Sequence, residues 1–178
     1  MVNFLWDNIF KKDQGKKDIA SVLSSNYLFE TLSPREIMFV QEIIHARNYR
    51  PGEVIFSQGE AGVGMYIIVK GSVNMTVEDL HSSDANNRVF VTRLSQSDFF
   101  GEIALVEKNS RRTATATAVD EVTLLGFFKP DLYEIIDRNP RTGVKIVTRL
   151  AEVLGRRLRE TAESFSELKR ELKNLKNN

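Results

Sequence analysis

Phe99–Ala118, FFGEIALVEKNSRRTATATA, is the stretch whose reading decides the fold. Gly101-Glu102-Ile103-Ala104-Leu105 opens as a short helical turn, and ten residues after Glu102 comes Arg112. Thr113-Ala114-Thr115-Ala116 then alternates small residues in the manner of a strand. A turn, a loop and a strand start are thus set to close over one small anion. Gly101 lets the backbone come close, the free N–H groups of the new helix point at a ligand, and the helix dipole favours negative charge there. Arg112 offers a planar fork of donors that fits two phosphate oxygens at once. Glu102 can accept a hydrogen bond from a sugar hydroxyl and would repel a second phosphate. The pair therefore suits a ligand with one phosphate charge and a free ribose hydroxyl. The plain alternative makes Glu102 a helix-start carboxylate and Arg112 a solvated charge.

Working outward, the chain from Tyr49 has a strand-like period. Pro51-Gly52-Glu53 turns into Val54-Ile55-Phe56, and Gly59–Gly64 is a second turn. Met65–Val69 and Ser72–Val77 flank Lys70-Gly71 as a hairpin. The glycine-rich turn lacks the Gly-Lys-Ser/Thr of a triphosphate loop and leads into a strand rather than a helix. Asp79–Asn87 is a polar loop, Arg88–Leu94 a strand, and Asp120-Glu121 turns into a strand over Val122–Phe128. Short strands with frequent turns predict a closed all-β sandwich or roll, whose apolar interior suits a ligand pocket. Residues 18–47 read as two helices around Leu28–Leu32. Ser33-Pro34-Arg35-Glu36 is a helix start, Ile37, Val40, Ile43 and Ile44 form its buried face, and His45 lies near its end. A short helix follows Pro130, over Asp131–Arg138.

Phe99–Ala118 resembles the phosphate-binding cassette of the cyclic nucleotide-binding domain family, and PGEVIF…QGE…MYIIVKGSV resembles that family's β-roll. The resemblance covers roughly residues 28–165 and implies a mainly β fold with flanking helices (α+β). It would be a cyclic nucleotide-binding β-roll or jelly roll with N-terminal helices and a long C-terminal helix. Carried over position by position, Glu102 matches the family's ribose 2′-hydroxyl acceptor and Arg112 its phosphate arginine. Gly101, Ile103 and Ala104 match its backbone phosphate turn, and Thr113 and Ala114 lie beside the arginine. The implied ligand is cyclic AMP, with cyclic GMP as the alternative, and no cofactor or metal is implied. A degenerate member that keeps the fold and serves as a ligand-independent dimerisation or scaffold module is the competing reading.

From Arg141 to about Lys176 no proline interrupts a helical pattern. Val144, Val147, Ala151, Leu154, Leu158, Thr161, Phe165, Leu168, Leu172 and Leu175 fall at alternating spacings of three and four. Such a seam predicts a coiled coil, hence a parallel homodimer, while Ile146, Leu150 and Val153 lie off it and can pack on the roll. Thr161 is the polar residue in mid-seam. Gly155–Thr161, GRRLRET, resembles the dimer helix of the family's catabolite-activator branch, which implies that Thr161 meets the adenine amino group of the ligand. Ala162 stands where that branch has a serine, so one family contact is missing. Thr113 resembles the threonine that cyclic GMP-selective members place beside the phosphate arginine, which pulls the other way. Gly155 costs about 1 kcal/mol of helix propensity relative to Ala and marks a hinge or a close helix crossing.

Composition sets the remaining bounds. The chain has 178 residues, 42% of them hydrophobic, enough for one domain and an extension. The division expected is 1–27 as an N-terminal helical extension, 28–140 as the roll and 141–178 as the dimerisation helix. Phe4, Leu5, Trp6, Ile9 and Phe10 give the extension an apolar helical face, packed on its own domain, docking a partner or touching a membrane surface. The formal net charge of +1 implies no strong polyanion partner, and the chain ends where DNA-reading members of the family continue into a helix-turn-helix, so nucleic acid is not expected. No apolar run approaches the roughly 20 residues of a membrane span and no signal peptide is evident, so a cytoplasmic protein is expected. Cysteine is absent, and the two histidines, His45 and His81, have no partners at ligand spacing. Metal-dependent chemistry of the cupin kind, which also uses a β-roll, needs a cluster of ligands, so no catalytic residues and no enzyme activity are expected. The expected output is a move of the C-terminal helix, read by a downstream protein the sequence does not name.

Overall fold

The computed structural model describes residues 19–78 and 88–176. The apolar face expected over Phe4–Phe10 and the loop over Asp79–Asn87 lie outside these residues. Residues 19–25 are helical, and Ser33 then starts helix α1 (Pro34–Ile43) with a reciprocal capping box. The Ser33 hydroxyl accepts from the Glu36 N–H at 3.4 Å, and the Glu36 carboxylate accepts from the Ser33 N–H at 2.7 Å. Ile37, Val40 and Ile43 face the core as expected.

Among the described residues eight strands follow: β1 (His45–Tyr49), β2 (Val54–Phe56), β3 (Gly64–Lys70), β4 (Val73–Glu78), β5 (Arg88–Leu94), β6 (Phe99–Phe100), β7 (Thr115–Ala118) and β8 (Val122–Phe128). Between them lies the one-turn helix α2 (Ile103–Val106), and after them come α3 (Lys129–Arg138) and α4 (Pro140–Lys176). One antiparallel sheet runs β1-β8-β3-β6 and the other β2-β7-β4-β5. Helices cover the outer face of the first sheet, and the second sheet covers its inner face. This is why β3 is apolar without alternation. Met65 and Ile67 face a core shared with Leu23, Phe29, Val40, Ile135, Ile146 and Leu150, while Tyr66 and Ile68 face Phe56, Phe100, Ala116 and Leu124 between the sheets.

Two expectations are corrected. The helix expected through residue 47 ends at Ile43; Ile44 is already extended, and His45 opens β1, paired with Gly126 of β8. HARNY is almost wholly exposed and carries no apolar alternation, so only its ladder to β8 makes it a strand. The hairpin expected around Lys70-Gly71 is also absent. β3 pairs with β8 and β6, whereas β4 pairs with β7 and β5, so the connection crosses from one sheet to the other. Gly71 makes that crossing with φ +86°, and a Cβ there would come within 2.6 Å of the Glu121 carbonyl oxygen. Asp120 fastens it by accepting from the Ser72 N–H and hydroxyl, both at 2.9 Å. The hairpin pairing belongs to β4 and β5, from Val73↔Leu94 to Glu78↔Arg88.

Helix α4 has 37 residues, about 55 Å at 1.5 Å per residue. Ile146, Leu150 and Val153 are fully buried against the roll. Polar ties reinforce that packing: Lys145 and Thr142 both reach Glu36, at 2.7 and 3.0 Å, and Arg149 pairs with Glu30 and Glu152. Beyond Leu154 the seam is left open by the described residues; Leu158 is 72% and Phe165 67% exposed.

Candidate functional site

The cassette begins where β6 leaves the core. Phe99 and Phe100 are buried, and Phe100 pairs with Tyr66 of β3. Gly101 then takes φ +80°, a left-handed conformation that turns the chain out of the strand and into α2. The Ala104 N–H donates to the Gly101 carbonyl at 3.2 Å and the Leu105 N–H to that of Glu102 at 3.0 Å. Ala104 and Leu105 sink into the body, and the Glu102 side chain turns inward, leaving the residue 3% exposed. The returning loop is knitted to the turn before β3: Arg112 N–H to Glu60 carbonyl at 2.9 Å, Gly59 N–H to Arg112 carbonyl at 2.8 Å, and a bridge between Ala61 and Arg111.

That stitching drives Arg112 into the protein, where it is 7% exposed. Its guanidinium lies over the Phe56 ring, 4.0 Å from the centroid. Nη1 donates to the Gly64 carbonyl at 2.7 Å and the Gly101 carbonyl at 3.3 Å. Nε is buried with no partner. Among the described residues no carboxylate lies within 4.0 Å of this cation. Burial pulls its pKa down, against the pull of Tyr66, Glu60 and Glu102 in the other direction. An arginine nevertheless stays protonated, so the site holds a buried positive charge with donor capacity to spare.

Glu102 has a partner the sequence did not single out. Arg157 of α4 places Nη1 2.6 Å from Glu102 Oε1, donates from Nη2 to the Phe99 carbonyl at 3.2 Å and stacks on the Phe99 ring. One helical turn further on, the Thr161 hydroxyl donates to the Arg157 carbonyl at 2.8 Å. Arg157 stands among Arg156 and Arg159, and nothing in the one-dimensional pattern separates it from them except its place one turn before Thr161.

These groups line one cavity of about 370 Å³, at the small end of the roughly 300–1,000 Å³ usual for small-molecule sites. Gly101, Glu102, Ile103, Ala104, Arg112, Thr113, Ala114 and Thr161 all lie on its wall, joined by Arg157, Phe56 and part of β5. Among the described residues no three His, Cys, Asp or Glu side chains gather as a metal site would require, and no helix is long and apolar enough to cross a membrane.

Comparison with known proteins places this cavity in context. The family model described as "Cyclic nucleotide-binding domain" matches residues 46–139. The chain is 32% identical to the cyclic AMP receptor protein of Thermus thermophilus over 133 residues, covering 75% of this chain and 57% of that protein. It is 31% identical over 137 residues to a cAMP-dependent protein kinase regulatory subunit of Mycosarcoma maydis, covering 75% and 23%. A putative potassium channel protein of Rhodopseudomonas palustris is 36% identical over 119 residues, covering 67% and 27%. The chain thus spans less than two thirds of each of these relatives. Among solved structures, the Thermus thermophilus catabolite activator protein superposes with a TM-score of 0.71 at 30% identity, over 80% of this chain and 63% of that one.

Proposed function

This chain belongs to the cyclic nucleotide-binding domain family, and from that premise we propose that it is a regulatory receptor for a cyclic mononucleotide, cyclic AMP in preference to cyclic GMP. The observation that carries this reading is the buried, unpaired Arg112 cation with its unpartnered Nε, facing the same cavity as Glu102. A buried charge without a counter-ion costs several kcal/mol, and a single phosphate would relieve it. Nε and Nη2 form the side edge of the guanidinium and can take two phosphate oxygens together.

In this reading the ribose 2′-hydroxyl is received by Glu102, the carboxylate that Arg157 holds in the structure. Ligand binding therefore acts on α4 at Arg157 and, through the base, at Thr161. The Thr161 hydroxyl already donates to the Arg157 carbonyl, so its free capacity is as an acceptor. An adenine amino group donates, whereas guanine presents a carbonyl oxygen at the equivalent position, which favours adenine. Differential contact with two positions of α4 would shift the population between them, and a partner protein would read the shift. Residues 28–140 serve as the receptor roll, 141–178 as the relay and dimerisation helix, and 1–27 as an extension. No step in this cytoplasmic signalling role is catalytic.

Calorimetric titration with cyclic AMP and cyclic GMP, on the protein and on Arg112→Ala, tests the reading. The expected result is a Kd for cyclic AMP of about 1 μM or tighter, about 8 kcal/mol of binding free energy, lost in the variant while its circular dichroism is retained. Absence of binding to either nucleotide would overturn it, and tighter cyclic GMP binding would transfer the base contact to Thr113.

A further inference from the structure

A second depression, about 810 Å³ in volume, lies on the outer side of the cassette and is lined by Val63, Lys108, Arg111, Lys129 and Tyr133 among others. We propose that it docks an acidic segment of a partner protein, one that presents an apolar or aromatic side chain between carboxylates.

The walls are built without an occupant. The Gly62 N–H donates to the Ser110 carbonyl at 2.8 Å, the Lys129 N–H to Val63 at 2.9 Å, and Lys129 Nζ to the Glu107 carbonyl at 2.9 Å. These bonds tie the turn before β3, the loop after α2 and the start of α3 into one preformed concavity, which lowers the ordering cost of binding. Val63 and Tyr133 are each 56% exposed, a seat for one apolar side chain. The same depression is lined by three cations, Lys108, Arg111 (which donates to the Gly59 carbonyl at 2.7 Å) and Lys129, against the single carboxylate of Glu107. The whole chain carries a formal charge of only +1, so this is a local concentration of positive charge. Lys129 keeps two further N–H donors after its bond to Glu107. A concave site lined by exposed apolar side chains as well as cations matches a peptide better than a flat anionic surface.

Ser110 and Arg111 line this depression and also the nucleotide cavity, and the next residue is Arg112. The wall between the two sites is therefore shared, and an occupant of one biases the other by the same factor in both directions. The docking surface stands on its own geometry; only this coupling rests on the nucleotide reading.

The probe is a fluorescein-labelled, acetylated peptide Glu-Asp-Glu-Phe-Glu-Asp-Glu, followed by anisotropy on the full chain with and without saturating cyclic AMP. Saturable binding is expected, weakened at least tenfold by Lys108→Glu/Lys129→Glu and at least fivefold by Tyr133→Ala, and at least fivefold when the peptide's Phe is Ser. The charge-reversed variant should bind cyclic AMP within twofold of the parent. No saturable binding, indifference to the charge reversal, or an equal response to the Ser peptide would overturn the docking site. Capture by phosphatidylserine vesicles in preference to the peptide would overturn it in favour of a membrane surface. A threefold or larger change in peptide affinity on adding cyclic AMP is expected, and equal affinities would overturn the coupling. Because the peptide is also titrated without nucleotide, failure of cyclic AMP binding leaves the docking result readable.

Discussion

Arg157 Nη1 of the long helix lies 2.6 Å from Glu102 Oε1 of the cassette, so the carboxylate at the heart of the cavity is already held by the element that leaves the domain. Glu102 is buried, whereas the Arg157 side chain is 44% exposed. Removing the arginine strands a buried carboxylate, with solvent access on the arginine side softening the loss. Arg157→Met should lower unfolding free energy by about 1–2 kcal/mol in urea titrations, and adding Glu102→Gln should recover part of it. Strict additivity of the two substitutions would show that the pair is not coupled.

Gly101→Ala is expected to damage the cavity more than its size suggests. The residue has φ +80°, and a Cβ would collide with Arg112 Nη1. The new methyl strains the backbone by about 1 kcal/mol or more and displaces the arginine from the Gly64 and Gly101 carbonyls. Melting temperature should fall, and cyclic AMP affinity should drop at least tenfold by calorimetry. Unchanged affinity would remove Arg112 from the phosphate role.

Glu36 supplies a pH dependence. Burial, the largest single influence, pushes its carboxyl up; bonds from Lys145, the Ser33 N–H and hydroxyl, and Thr142 together outweigh it and bring the pKa from 4.5 to about 2. A folded-state pKa below the unfolded one means stability that is present above pH 4.5 and lost as pH falls towards 2, at most about 3 kcal/mol. Glu36→Gln should flatten the acid limb of the stability profile between those values. An identical limb in the variant would place the acid sensitivity elsewhere.

The exposed seam of α4, left open by the described residues, predicts the oligomeric state. Leu158, Phe165, Leu168, Leu172 and Leu175 are all more than half exposed along one stripe. Sedimentation velocity should find a dimer, and Leu168→Glu should shift it to monomer without altering the melting of the roll. A parent protein that sediments as a monomer at 100 μM would leave the stripe to another partner.

Much of the roll and the cassette could be read in one dimension, because both rest on local chemistry. The capping box at Ser33, the strands Arg88–Leu94 and Val122–Phe128, and the turn at Gly101 each announce themselves through neighbours in sequence. The misread elements have their cause elsewhere in the chain. HARNY became a strand because β8 offers it an edge, and the turn at Gly71 crosses between sheets because β3 already has β8 and β6 on its two sides.

The same division holds at the cavity. Residue type and spacing alone predicted a turn at Gly101 flanked by Glu102 and Arg112, the pair proposed to meet a phosphate and a sugar, since a backbone turn and its flanking side chains are set by nearby residues. Only the tertiary structure decided that Arg112 gives Nη1 to two carbonyls and keeps Nε unpartnered, and that Arg157, fifty-five residues from Glu102, is the arginine that closes on it. Those contacts depend on how α4 lies across the roll, and that is set by the burial of Ile146, Leu150 and Val153 against side chains distant in sequence.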